Sequence, residues 1–325
     1  MRDLMMNLLI TGGLGFIGSN FIRMMLNEHP DIRISNLDAV TYAGNPANLK
    51  DVEDNPRYSF IRGDICDQAL VFSLLNKYDI DTIVHFAAES HVDRSIKDSS
   101  VFVRTNVLGT HVLLEGALKS GIERFIHIST DEVYGSKPVG SFCETENLSP
   151  SSPYSASKAG SDLLALSYHK THGLPVIVTR CTNNFGPYQY PEKLIPLFTT
   201  NLIEGKKVPV YGTGKNVRDW IYVLDHNRAV DFVLQHGSFG EIYNISSGCE
   251  KNNLEITAII LTILGMDESM IEYVPDRSGH DWRYSLDSSK LRSLGWQTEY
   301  DFETAMRETV NWYRNNEWWW RPLKG

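Results

Sequence analysis

The chain is short of cysteine, of net positive charge and of long apolar runs, and each shortage closes off a class of function. Cys66, Cys143, Cys181 and Cys249 are the only four cysteines in 325 residues; they form no CxxC and have no paired histidines beside them. Neither a zinc site nor a disulfide framework is expected, and the expected metal set is empty. His169 and His172 stand three apart without an acidic partner at ligand spacing, and they read as surface polar residues. Lysine and arginine number 31 against 40 aspartates and glutamates, a formal net charge of −9. Nucleic acid is therefore not an expected partner, because neutralising its phosphates takes a clustered basic surface. The longest apolar stretches, such as 83–88, fall far below the ~20 residues that span a bilayer. No membrane partner is expected. Arg2 and Asp3 lead straight into Leu8, Leu9 and Ile10 without the apolar region and cleavage site of a signal peptide, so a cytoplasmic location is the expectation.

What the chain has is 42% hydrophobic and 22% charged residues, an ordinary globular mixture, and at this length it can bury roughly 75% of its extended surface. Apolar, β-rich runs at 8–11, 32–38, 58–63, 82–87, 125–130 and 176–180 predict strands, several of them unbroken in the manner of strands buried on both faces. Between them, 20–27, 68–77, 101–120 and 157–172 carry apolar residues at helical spacing. The repeating unit is βαβ, and its natural closure is a doubly wound α/β domain with a parallel sheet, expected over 1–180. After Arg180 the alternation breaks. Glycines, prolines and aromatics crowd 184–191, and beyond them come strand-like pieces at 208–211, 220–223 and 241–245 and helical patterns at 254–264 and 302–313. Residues 181–325 are expected to form mainly a smaller, substrate-facing lobe, with later segments returning to the first domain. Trp318, Trp319 and Trp320 form an aromatic tail suited to packing or subunit contact.

Residues 11–18, Thr-Gly-Gly-Leu-Gly-Phe-Ile-Gly, lie where the first strand turns into the first helix, with glycines at 12, 13, 15 and 18. Without Cβ atoms such a loop turns tightly and brings its N–H groups against a pyrophosphate, which a helix N-terminus also attracts. Asp38 stands twenty residues beyond Gly18, at the end of the second strand. An acid there accepts hydrogen bonds from a ribose 2′-OH and repels a 2′-phosphate, so NAD is the expected cofactor, not NADP.

Tyr154 and Lys158 stand four apart at the start of a helical pattern, which places them on one face. A free tyrosine titrates near ~10. A neighbouring ammonium and an oxidised nicotinamide are expected to lower that value and make the phenol a base. Ser129 and Thr130 end the fifth predicted strand some two dozen residues upstream.

With these residues the chain resembles, from end to end, the extended short-chain dehydrogenase/reductases. The resemblance implies a Rossmann-like α/β fold and a Ser/Thr-Tyr-Lys triad of Thr130, Tyr154 and Lys158: Tyr154 takes a sugar hydroxyl proton, Thr130 steadies the oxygen, and Lys158 tunes the tyrosine and holds the nicotinamide ribose. Asn106 matches a structural asparagine of the family. The implied cofactor contacts are Gly12, Gly15, Phe16, Ile17, Gly18, Asp38, Thr41, Asp64, Ile65, Ala87, Ala88, Thr105, Tyr154, Lys158 and Asn184.

Members differ in the two residues directly after the threonine. Here they are Asp131 and Glu132, a pair that looks like the nucleoside-diphosphate-glucose 4,6-dehydratases. That likeness implies dehydration of dTDP-glucose to dTDP-4-keto-6-deoxyglucose, with Glu132 as base at C5 and Asp131 as acid at the C6 hydroxyl. One carboxyl must be ionised and the other protonated, which unequal burial and mutual repulsion can arrange. An NAD-dependent epimerase, decarboxylase or dehydratase of a UDP- or GDP-sugar remains the alternative. Ser90, Thr130, Asn183, Glu192, Lys193 and Leu194 are the implied sugar and diphosphate contacts; Pro209, Tyr211, Arg218, Asn253, Arg277 and His280 are the implied nucleotide contacts. Two residues depart from the dehydratase pattern, Ser278 where proline is usual and Trp282 where a basic residue is common. The helical segments 101–120 and 157–172 hold more apolar residues than one sheet face requires, and the family pairs these helices into a four-helix homodimer contact.

Overall fold

The computed structural model describes residues 6–276 and 281–324. Seven parallel strands form the central sheet: β1 (Met6–Thr11), β2 (Ile32–Asp38), β3 (Tyr58–Arg62), β4 (Thr82–His85), β5 (Arg124–Thr130) and β6 (Val176–Cys181), with a seventh strand at Ile242–Ile245. In sheet order, β3-β2-β1-β4-β5-β6 is succeeded at the far edge by the seventh. The order reverses between β1 and β4, and in such sheets the crevice at the strands' carboxyl ends at that point receives the ligand. The last strand comes from beyond Arg180, so the second half of the chain completes the sheet of the first.

Around the sheet run helices α1 (Phe16–Glu28), α2 (Gln68–Lys77), α3 (Thr110–Ser120), α4 (Pro153–His172), α5 (Leu194–Ile203) and α6 (Val223–His236). The period-two alternation of strand side chains divides the core between two faces. Leu8, Ile10, Ile126 and Ile128 meet Phe21 and Ile22 of α1 and Val230 and Val233 of α6 on one face. Leu9, Phe125, Val176 and Val178 meet Val71 of α2, Leu113 of α3 and Ala165 of α4 on the other.

The remaining short strands are β7 (Asn183–Phe185), β8 (Val208–Tyr211), β9 (Val217–Tyr222), with Ile242–Ile245 as β10, β11 (Glu250–Asn252) and β12 (Ile271–Val274). They pair as β11-β9-β7 and β12-β8. With α5, α7 (Asn253–Leu264) and α8 (Phe302–Asn315) they enclose a third core of Phe198, Val210, Trp220, Ile256, Ile260 and Met306. Of the aromatic tail, Trp319 and Trp320 are buried against Tyr313, while Trp318 is exposed. No helix among the described residues is long and apolar enough to cross a membrane.

Two boundaries differ from the sequence reading in ways that matter for the site. Helix α4 starts at Pro153 and not near residue 157, because Ser152 and Ser155 form a reciprocal capping box with proline in the first turn. Tyr154 is thereby fixed in the helix's opening turn. The segment predicted as one helix from residue 101 contains a π-helical stretch, Val103–Gly109, before α3, the kind of widened turn that often accompanies functional sites. It carries Asn106 into the interior.

Candidate functional site

Gly12 succeeds β1 with φ of +72°, and a Cβ there would lie 2.6 Å from the Ala87 backbone. A Cβ on Gly18 would lie 2.6 Å from the Gly12 carbonyl oxygen, so the first turn of α1 presses directly on the loop. Asp38 holds the same loop. Its Oδ2 accepts the Leu14 N–H at 2.9 Å and its Oδ1 the Val40 N–H at 2.8 Å. Burial raises this carboxyl above its ordinary value, while the two amides pull the other way.

One cleft runs from this loop along the carboxyl ends of the strands, as the β1/β4 reversal predicts. Its dinucleotide end is walled by Gly12, Gly15, Phe16, Ile17, Gly18 and Asp38, then by Thr41, Asp64 and Ile65. Ala87, Ala88, Thr105 and Asn184 line its middle. Asp64 pairs with Arg104 at 3.0 Å. Thr130, Asp131, Glu132, Tyr154 and Lys158 gather at its other end with Ser90, Asn183, Glu192 and Lys193. Every expected cofactor contact and all five expected catalytic residues therefore face one space.

Thr130 ends β5, and its hydroxyl donates to Asp131 Oδ1 at 3.2 Å while accepting the Glu132 N–H at 3.3 Å. The turn Asp131–Tyr134 hence starts under a threonine cap. Asp131 is buried, Glu132 half-buried. Burial, reinforced by the charge of Glu132, pushes Asp131 well above the usual carboxylate range. A rise in that direction favours the protonated form, the form a general acid needs. Lys158 donates from Nζ to the Ile128 carbonyl at 2.7 Å, and burial brings it down to about 8.

At Tyr154, burial and then the charge of Glu132 push the phenol well above its ordinary value, while the Thr130 hydrogen bond works against them. The lowering expected of an oxidised nicotinamide would act only with the cofactor bound.

Among the described residues, the expected nucleotide contacts Pro209, Tyr211, Arg218 and Asn253 are not in the lining of this cleft, nor is Leu194, expected at the sugar and diphosphate. Leu194 opens α5 and packs into the third core. Pro209 and Tyr211 lie on β8, with Tyr211 exposed, and Asn253 opens α7. Arg218 is buried and packs 4.5 Å over the Tyr284 ring, its guanidinium donating to the carbonyls of Val217 at 2.7 Å and Asp281 at 3.0 Å. It is near enough to Asp131 to oppose that group's rise. Arg277 and His280, with Ser278, lie outside the described residues. Trp282 is exposed.

Spacing along the chain did not reveal several cleft residues. Cys181 lines the cleft, as do Thr182, Gln189 and Tyr190. Tyr42 donates to Glu192 Oε1 at 3.0 Å beneath the Arg94 guanidinium, 3.6 Å from its ring, and His91 Nε2 stands 3.4 Å from the same carboxylate. These partners are up to 150 residues apart in sequence. Only the neighbouring motifs, Glu89-Ser90-His91 and Glu192-Lys193, pointed toward them.

The cleft fits a dinucleotide. A glycine cradle that a Cβ would fill stands at one end. Further in, among the described residues, buried Ser129 Oγ, Asp131 Oδ2, Thr182 Oγ1 and Asn184 Oδ1 have no hydrogen-bond partner within the chain. Buried polar atoms of this kind are ordinarily satisfied, here by whatever the cleft binds.

Comparison with known proteins agrees with this geometry. The family model for GDP-mannose 4,6 dehydratase matches residues 9–309. A dTDP-glucose 4,6-dehydratase of Streptomyces niveus is 54% identical, the match covering 98% of this chain and 96% of the relative. The solved structure of DesIV, the dTDP-glucose 4,6-dehydratase of Streptomyces venezuelae with NAD and TYD bound, superposes with a TM-score of 0.95 at 54% identity, over 98% of this chain and all of that one. The UDP-glucose 4-epimerase of Thermotoga maritima shares the fold with a TM-score of 0.90, over 96% of this chain and 100% of that one, but only 29% of the sequence. The chain belongs to the GDP-mannose 4,6 dehydratase family, alongside relatives named dTDP-glucose 4,6-dehydratase.

Proposed function

We propose that the chain holds NAD in this cleft and dehydrates dTDP-glucose to dTDP-4-keto-6-deoxyglucose, as a hydro-lyase. The observation that carries the reading is the convergence of a buried carboxyl pushed well above its ordinary value, a second carboxyl beside it and the Tyr154/Lys158 helix turn on one cleft that a dinucleotide fits. NAD, when bound, supplies the acceptor for the C4 hydride and the donor that returns it to C6. The side chains do the rest. Tyr154 takes the proton of the C4 hydroxyl, steadied by Thr130, with Lys158 compensating the phenolate charge. Glu132 removes the C5 proton made acidic by the adjacent ketone. Asp131 gives its proton to the departing C6 hydroxyl, which leaves as water.

Gly12, Gly15, Gly18 and Asp38 are suited to the pyrophosphate and adenosine ribose. Residues 1–180 are assigned mainly to the cofactor, with later segments returning to that domain, and 181–325 mainly to the sugar nucleotide, with Arg218 assigned to the nucleotide. Val103, Leu108 and Leu163 are exposed on the segments expected to pair, which supports a homodimer through a four-helix contact. A cytoplasmic location completes the reading.

Incubation with dTDP-glucose tests it. The product should show the alkali-induced absorbance of a 4-keto sugar with no net consumption of NAD; an epimerised dTDP-hexose without that absorbance overturns the assignment. Sedimentation of the wild type and of Leu163→Glu tests the dimer, which requires the variant to shift toward a 36.9 kDa species.

A further inference from the structure

Behind the cleft, on the far side of the Tyr154/Lys158 turn, lies a buried polar cluster that the reaction as written does not use. Asp162 sits one helical turn beyond Lys158 on α4, with its side chain fully buried. Its Oδ2 accepts Arg180 Nε at 2.9 Å, and its Oδ1 stands 3.3 Å from His127 Nε2 on β5. Arg180, on β6 and 1% exposed, donates from Nη1 to the Tyr134 hydroxyl at 2.7 Å and lies 4.7 Å over that ring. The Tyr134 hydroxyl in turn donates to Asn244 Oδ1 at 3.0 Å. Tyr134 closes the turn that begins with Asp131 and Glu132. One chain of contacts thus joins the helix carrying Lys158 to the turn carrying the two carboxyls.

We infer that Asp162 and Arg180 are positioning residues of the reaction: Asp162 is the buried counter-charge one helical turn from Lys158, and Arg180, gripping both Asp162 and Tyr134, holds the Asp131–Glu132 turn in register with that helix. The inference rests on the roles proposed above for Lys158, Asp131 and Glu132. An ion pair this deep is costly to desolvate, and packed apolar residues could replace it without loss of stability. A structural role alone is a weak account of it.

The charges around Lys158 favour the same view. Buried His85 on β4 and His127 on β5 are both held below their ordinary values, first by burial and then by neighbouring positive charge that includes Lys158. Arg180 and Cys181 face it from β6, while Tyr154 and Asp162 share its helix. Against the burial that brings Lys158 to about 8, Asp162 is the foremost influence holding it up. Burial also pushes Cys181 up to about 12, which keeps it a neutral thiol at neutral pH. Removing the Asp162 charge makes the ammonium easier to lose, so the descending limb of a kcat profile, where Lys158 deprotonates, moves to lower pH.

The test is Asp162→Asn, compared with Asp162→Glu, which retains the charge. Asp162→Asn is expected to shift the descending limb, where Lys158 loses its proton, down by about one unit, to lower kcat roughly fivefold at pH 8, and to leave KM for dTDP-glucose within about twofold. Asp162→Glu should bring the limb back. A folded Asp162→Asn enzyme with wild-type kcat and an unmoved descending limb overturns the inference. If the single variant does not fold, Asp162→Asn/Arg180→Met, which leaves neither ion unpartnered, is read by the same limb and the same criterion. Lys158→Met serves as the control for the underlying reading: were it fully active, the role of Lys158 would fall, whereas an inactive Lys158→Met beside a normal Asp162→Asn removes only the positioning pair.

Discussion

Asn106 and Glu89 grip each other through both polar ends of one amide: Asn106 Oδ1 accepts the Glu89 N–H at 2.9 Å, and its Nδ2 donates to the Glu89 carbonyl at 3.0 Å. The same Nδ2 reaches Ser157 Oγ at 2.8 Å, beside Lys158. Asn106 therefore ties the segment after β4 to the helix of the tyrosine and lysine. Replacing it by alanine leaves the half-buried Glu89 backbone groups without this partner, and a stability loss of about 1–2 kcal/mol is expected. Asn106→Asp should be worse, because it loses both donors and buries a charge. Denaturant titration of the two variants gives the order; a harmless Asn106→Asp contradicts it.

Asp131 is expected to work against stability while serving the chemistry. Its folded-state value is raised, so between the unfolded value, ~4, and the folded one the native state binds the extra proton. Stability accordingly falls as pH rises through that window. Asp131→Asn is never ionised, and its Tm should exceed that of the wild type at pH 8, the gap closing toward pH 4. It cannot give a proton to the C6 hydroxyl, so dehydration should slow by about 10²–10⁴. C4 oxidation should persist, visible as NADH absorbance on mixing with dTDP-glucose. A variant less stable than the wild type at pH 8 would refute the pH argument.

The aromatic tail predicts an effect on stability alone. Trp320 is 0% exposed and donates from Nε1 to the Tyr313 carbonyl at 2.8 Å, while Trp319 donates to Asn48 Oδ1 at 2.8 Å, across to the segment before β3. Trp320→Ala should cost about 3–5 kcal/mol. Trp318→Ala, at 59% exposure, should change stability by no more than about 0.5 kcal/mol. Equal effects of the two in urea unfolding would contradict this packing.

Legibility tracked the physics of each segment. Strands such as β1 and β6 are buried on both faces and read as unbroken apolar runs, so sheet and cleft position were visible in the sequence. Helix α6 was not, because Asp225, His226 and Asn227 are buried polar residues in its first turns and break the apolar period. Asp225 is there to accept the Glu299 N–H at 2.7 Å, a partner no local pattern could announce. The same holds for the site. The glycine loop, the Asp131-Glu132 pair and the Tyr154/Lys158 spacing are local and were legible. Tyr42 against Glu192 and Arg180 against Asp162 and Tyr134 are contacts between distant segments, fixed only by the fold.

Asp38 carries two duties, and the prediction depends on separating them. Its carboxylate faces the cleft, where it would repel a 2′-phosphate, and it also accepts the Leu14 and Val40 amides that shape the glycine loop. Asp38→Ala removes both, so it should weaken NAD binding without creating strong NADP binding, because the loop loses its anchor. Asp38→Asn keeps one acceptor oxygen and discards the charge. It should retain most NAD affinity and gain about tenfold for NADP, since the lost repulsion is of the order of 1 kcal/mol across a partly solvated gap. Calorimetric titration of both variants with both dinucleotides decides the matter. If Asp38→Ala takes NADP as well as Asp38→Asn does, the loop-anchoring duty is not real and the selectivity is charge alone.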